Sequence, residues 1–221
     1  MQKMKPILRL LLPLGLSLLG CARGGFTPSE RRIIEQSDSV MYVTTVGHPS
    51  DSLLLRTPST DLPPQALRSP LLQTLVAKMN RTVLDPRQDG VGLAAPQVGI
   101  NRRVIVLWRE DKPGQPYETY VNVHLEERLG NIVTGPEGCL SVPPYRGMVP
   151  RSECVIVSYL DAYTLKPHRD TVRGYAAIIF QHECDHLDGI LYIDRADTVF
   201  LDTDWAAQRK EFDYSRPEWM E

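Results

Sequence analysis

Two histidines spaced one helical turn apart inside an otherwise apolar segment restrict this chain more than any other feature. Gly174 to Leu187 reads GYAAIIFQHECDHL, with Gly189 as its stop signal. Residues four apart on a helix lie above one another on one face, so His182 and His186 can both reach one metal ion. Glu183 lies about 100° further round by helical geometry. There its carboxylate can flank the ion and touch a bound water without being a ligand. Neutral packing gives no reason for two histidines and a glutamate on an apolar helix.

A catalytic site of this kind needs a third protein ligand. Asp188, Asp194 and Asp197 follow on the chain, although no H-x-x-G-x-x-H extension exists. Upstream, Cys139 stands in Glu137-Gly138-Cys139-Leu140-Ser141, where glycine and turn residues leave a thiol more accessible than a strand would. Spacing alone leaves these alternatives open.

The chain of 221 residues shows no internal repeat and suits one domain with one sizeable core. Net charge is -2 and no long basic run occurs, so nothing supports a nucleic-acid surface. Eighteen prolines and fifteen glycines point to many turns. The N-terminus differs from the rest. Lys3, Lys5 and Arg9 precede an apolar run that ends Leu18-Leu19-Gly20-Cys21. This reads as a signal peptide over 1–20, with a lipobox-like ending that makes Cys21 the lipidation site. A second acyl chain on that cysteine would make the attachment stable. The expected location is therefore a membrane-anchored lipoprotein outside the cytoplasm, whereas a start at Met41 would restore a cytoplasmic protein. Cleavage would leave 22 basic against 27 acidic residues, so the lipid and not charge would hold the membrane. Cys154 in ECVIVSYL reads as a buried strand residue, and Cys184 as the side of the helix turned away from the histidines.

Residues 21–40 read as a tether with a possible short helix capped by Thr27 or Ser29, residues 41–200 as the catalytic domain, and 201–221 as a tail, helical at the surface. Met41 to Val46 is expected to be a strand, and residues 70–84 an amphipathic helix with Ser69 as its cap. Strands are expected at 103–108, 117–125, 132–134, 154–160, 169–172 and, closing the fold, 191–193. Strands in groups, without strict alternation with helices, make the class α+β.

GVGLAAPQVG, EGCLSVP and QHECDHLDG, in this order and spacing, resemble the three signature blocks of the peptide deformylase family. The resemblance runs from about Thr44 to Asp194. It implies antiparallel or mixed sheets packed around the central H-E-x-x-H helix. It implies that Cys139, His182 and His186 bind one divalent ion, Fe²⁺ by family resemblance, with Zn²⁺, Ni²⁺ or Co²⁺ as alternatives. It further implies that Glu183 is the acid/base, that Gln97 and the Leu140 N–H face the developing oxyanion, and that Val91 and Gly92 line the substrate groove. The activity implied is removal of the formyl group from N-formylmethionyl peptides or nascent chains by a monomer. The chain departs from the family at Val121-Asn122-Val123, where Asn-Pro is common, and in its export signal. Outside the cell an exposed thiolate and Fe²⁺ would be open to oxidation, which makes Zn²⁺ the safer ion there. Two other readings share the motif: a zinc metallopeptidase cutting internal bonds, and an exported binder or scavenger of formylated peptides.

Overall fold

The computed structural model describes residues 25–88, 90–208 and 214–220. The signal segment 1–20 and Cys21 lie outside the described residues. Six strands form one sheet: β1 (Gly92–Ala94), β2 (Val104–Trp108), β3 (Tyr117–Gly138), β4 (Tyr145–Asp161) and β5 (Pro167–Arg173) are adjacent in that order, while β6 (Thr198–Leu201) pairs with one end of β4. Every ladder is antiparallel; the parallel contact among the described residues is an isolated bridge between Thr60 and Arg102. The architecture is α+β, as the grouping of strands implied.

The run Val104-Ile105-Val106-Leu107 is apolar throughout because β2 is covered on both faces. Val104 and Val106 point into a core with α1 (Pro28–Gln36) and α4 (Pro70–Val83), whose Leu72, Leu75, Val76 and Met79 supply the helical stripe. Ile105 and Leu107 point the other way, against Ala176, Phe180 and Cys184 of α5 (Gly174–Leu187). The period-two alternation of a strand thus joins two cores through one sheet. Helix α5 needs apolar residues on most of its circumference because it lies across β1, β2 and β4. Glu110 Oε1 accepts from the Ala176 N–H at 3.1 Å and satisfies an orphan donor of its first turn. Cys154 and Cys184 are buried as expected, and burial pushes the Cys184 thiol up to about 12.

Several local expectations change. Met41 to Val46 joins no ladder, and Val46 already lies in a turn. Its bonds go instead to the two motif loops, from the Thr44 N–H to the Gln97 carbonyl at 2.8 Å and from the Val46 N–H to the Ser141 carbonyl at 2.9 Å. Residues 132–134 belong to the far half of the long β3 and are not a separate strand. Residues 191–193 are not a strand, because the Asp194 carboxylate accepts from the Leu191 N–H at 2.8 Å and closes a 3₁₀ turn over Tyr192–Asp194. Short helices α2 (Pro49–Leu55) and α3 (Pro64–Leu67) and strands β1 and β6 carry too few periodic residues to be seen in the sequence. Asn122, the family departure, has φ +48°, which asparagine tolerates, and its amide exchanges two hydrogen bonds with the Leu62 backbone at 2.7 and 3.0 Å.

The segment 21–40 is not a free tether from Phe26 onward. Thr27 and Glu30 form a reciprocal capping box that starts α1. Phe26, Ile33 and Ile34 are then buried in the core shared with α4. The tail also returns, since Trp219 and Met220 pack on that core and Arg216 pairs with the buried Asp51 at 2.8 Å. No helix among the described residues is long and apolar enough to cross a membrane. Replacing Ile34 by alanine is expected to lower unfolding free energy by about 2–4 kcal/mol in a denaturant titration, where a residue in a tether would cost close to nothing.

Candidate metal centre

Strands β3 and β4 form a long hairpin whose ladder ends at Gly138 opposite Arg146. Cys139 is the first residue past that ladder, and the turn that follows is closed by the Val142 N–H to the Cys139 carbonyl at 2.9 Å. Helix α5 brings His182 and His186 to the same place, ring centroids 5.1 Å apart. One ligand atom from each of Cys139, His182 and His186 lies within 4.8 Å of the others. Cys139 Sγ is 3.2 Å from His186 Nε2. The competing acids lie elsewhere: Asp188 pairs with Arg103 at 2.8 Å, Asp194 with Arg56, and Asp197 is exposed.

One sulfur and two imidazole nitrogens suit a borderline divalent cation such as zinc or ferrous iron. The surroundings fit such an ion. Glu183 Oε2 is buried with no hydrogen-bond partner among the described residues. Burial raises the Glu183 carboxyl to about 7, against the opposing pull of His182. Of the two imidazoles His182 is the more basic: burial would lower it, but hydrogen bonds to Cys139 and Glu137 outweigh that and hold it well above the usual range. His186 is held well below that range by burial and by the charge of His182.

The first motif block packs against the carboxylate. A Cβ on Gly92 would stand 2.2 Å from Glu183 Oε1, so only glycine lets β1 approach this closely. Gln97 is buried, with Oε1 accepting from the Ala94 N–H at 2.8 Å. That fixes its amide so that Nε2 faces Ser141 Oγ at 3.2 Å and Cys139 Sγ at 3.6 Å. Leu140 and Val91 line the cavity that opens over the ion site, and the Val91 carbonyl accepts from the Trp108 N–H at 2.8 Å. The cavity holds about 870 Å³, a size suited to a small ligand or a short peptide. All the residues singled out in the three blocks therefore converge here.

Beneath the ligands lies a charge network that the motifs alone did not reveal. Glu137 accepts from His182 Nδ1 at 2.8 Å, which fixes the ring and aims Nε2 at the site. Arg151 of β4, 2% exposed, holds the same carboxylate at 2.7 and 2.9 Å and reaches Asp185 of α5 at 2.5 Å. Arg195 closes the set with two bonds to Asp185 at 2.6 and 2.8 Å. Burial alone would raise Glu137, but the bonds from Arg151 and His182 prevail and hold it at about 2. Glu137 was visible in EGCLS, yet its partner sits fourteen residues along the opposite strand, where sequence periodicity has no purchase. Glu137→Gln is expected to weaken cation retention by about 10–100-fold in competition with a chromophoric chelator, since the anionic orienting partner of His182 is lost.

Comparison with known proteins agrees with this geometry. The family model described as polypeptide deformylase matches residues 40–200. A peptide deformylase of Leptospira biflexa is 34% identical over 171 residues, covering 74% of this chain and 91% of the relative. One from Symbiobacterium thermophilum is 51% identical over 106 residues, 48% of each chain. Among solved structures, the Met-Ala-Ser-bound class I type b peptide deformylase of Acinetobacter baumannii has a TM-score of 0.62 at 36% identity. It covers 71% of this chain and 98% of its own. The actinonin complex of the Synechococcus elongatus enzyme has a TM-score of 0.63 at 32% identity, covering 79% and 88%. With its three signature blocks folded around one Cys-His-His cluster, this chain belongs to the polypeptide deformylase family.

Proposed function

We propose that this protein hydrolyses the formamide of N-formylmethionyl peptides at the Cys139–His182–His186 centre, releasing formate and a free amino terminus. The convergence of those three donors beside the Glu183 carboxylate, whose Oε2 has no hydrogen-bond partner among the described residues, is the observation that carries the reading. A divalent cation held there would acidify a water molecule and polarise the formyl oxygen. Glu183 takes the proton as attack begins and returns it to the leaving amine, acting as base and then acid. Its position against Gly92 keeps the carboxylate beside the reacting atoms without drawing it into the ligand set. The Gln97 amide, already oriented by Ala94, donates to the oxygen as negative charge builds on it. The Leu140 N–H, next to Cys139, is the second donor. Val91 and Gly92 border the groove for the peptide backbone and its first side chain. The relative with Met-Ala-Ser bound supports a peptide ligand of this kind.

Glu183→Gln is expected to retain the metal while formate release from formyl-Met-Ala falls to background. Gln97→Ala should lose about 10²–10³ in kcat, the usual worth of one oxyanion donor. Metal analysis and a formate-coupled assay on the same preparations check both, and a Glu183→Gln protein with full activity would refute the assignment.

The location of the reaction is likewise a proposal, drawn from the sequence of the N-terminal segment. We place the protein at a membrane, anchored by lipid on Cys21, on the strength of the basic start, the apolar run and Leu18-Leu19-Gly20-Cys21. The family implies Fe²⁺, but an oxidising surface favours Zn²⁺ in the same ligand set. Mass spectrometry of the native protein is expected to find an acylated Cys21 as the first residue, with zinc as the main metal. A chain beginning at Met41 would return the enzyme to the cytoplasm.

A further inference from the structure

The family match ends at residue 200, yet the cavity over the metal centre is walled in part by residues beyond it. Strand β6 runs along β4, Tyr145 opposite Leu201 and Met148 opposite Thr198. It delivers the chain to α6 (Thr203–Gln208), whose Trp205 lines the same cavity as Cys139, His182 and Glu183. Four contacts fix this wall. Asp202 pairs with Arg146 at 2.5 Å and its N–H donates to the Pro144 carbonyl at 3.1 Å. Asp202 Oδ1 accepts from the Trp205 N–H at 2.9 Å. The Arg146 guanidinium lies 5.7 Å from the indole centroid, within cation–π range. A Cβ built on Gly138, the residue before Cys139, would lie 3.8 Å from Trp205 Cζ3, so the indole borders the backbone that presents the thiol.

The substrate's chemistry makes that position matter. A formyl carbon carries only hydrogen on its far side, so the whole peptide lies on the amine side of the reacting bond. Any selection beyond the formyl group must come from walls that the peptide meets as it leaves the metal. The cavity of about 870 Å³ exceeds what one formylmethionyl residue fills, and Trp205 shares it with Tyr175 and Ile178 of α5. Resting on the deformylase reading above, we infer that Trp205 is a specificity-determining residue of this chain. It offers an aromatic surface to an apolar or aromatic side chain at the second or third position of the formylated peptide.

The test compares kcat/KM for formyl-Met-Phe-Ala with formyl-Met-Gly-Ala, and for formyl-Met-Ala-Phe with formyl-Met-Ala-Gly. The full-length metal-loaded protein is used. The wild type is expected to prefer phenylalanine by about tenfold at one of the two positions, the discrimination an apolar contact supplies. Trp205→Ala should bring that ratio close to one, and Trp205→Phe should restore most of it. Thermal melts of both variants, matching the wild type, separate loss of contact from loss of fold. A ratio near one in the wild type, or a preference that survives in Trp205→Ala, overturns the inference while leaving deformylation intact. No formate from any of the four peptides would overturn the deformylase reading and this inference together.

Discussion

A single buried guanidinium joins the two halves of the candidate centre. Arg151 of β4 bonds Glu137, two residues before Cys139, and Asp185, one residue before His186. The hairpin supplies the sulfur and α5 supplies the imidazoles, so the distance between them depends on what lies between. A charge this deep is tolerated only when its partners meet it fully; removing one carboxylate from such a set typically costs about 3–5 kcal/mol. Two carboxylates share Arg151 here, and the second carboxylate is held again by Arg195. The network buys position: Glu137 sets the His182 ring, and Asp185 ties the helix turn that carries His186 to the sheet.

Around that frame several groups of the centre have their geometry set by a neighbour. The Ala94 N–H chooses which end of the Gln97 amide faces the sulfur. Gly92 admits the Glu183 carboxylate into contact with β1, where a side chain would force that carboxylate to move. Residues 44–46 tie the loop of Gln97 to the loop of Ser141 through two backbone bonds. The result is a site whose donors are held before a substrate arrives, which is the condition under which electrostatic stabilisation is most effective. The chain's own C-terminal wall is built differently, from one ion pair, one cation–π contact and two hydrogen bonds of Asp202 around a short helix at the surface.

Helix α5 and α4 could be read from the sequence almost to the residue, because a long apolar stripe with a stop or cap is a local property. The same held for β2 and for the cores of β4 and β5. The failures have a common cause. Residues 191–193 look like a strand by composition, but one side-chain bond from Asp194 turns them. Met41 to Val46 has strand residues and no strand to pair with. The short helix expected after Thr27 does form, but its polar composition hid that Phe26, Ile33 and Ile34 seat it in the core.

The sequence by itself determined that His182 and His186 share a face and that Glu183 flanks them, since helical geometry leaves no other arrangement. The three blocks, read together, also named the family. Tertiary structure decided the rest. It closed the contact between Cys139, which the blocks had implied, and His186 across 47 residues, set Arg151 beneath the histidines, and turned the C-terminal segment back beside Gly138. Periodicity reports which way a residue faces within its own element; which element it meets is fixed only when the sheet and its two cores are assembled.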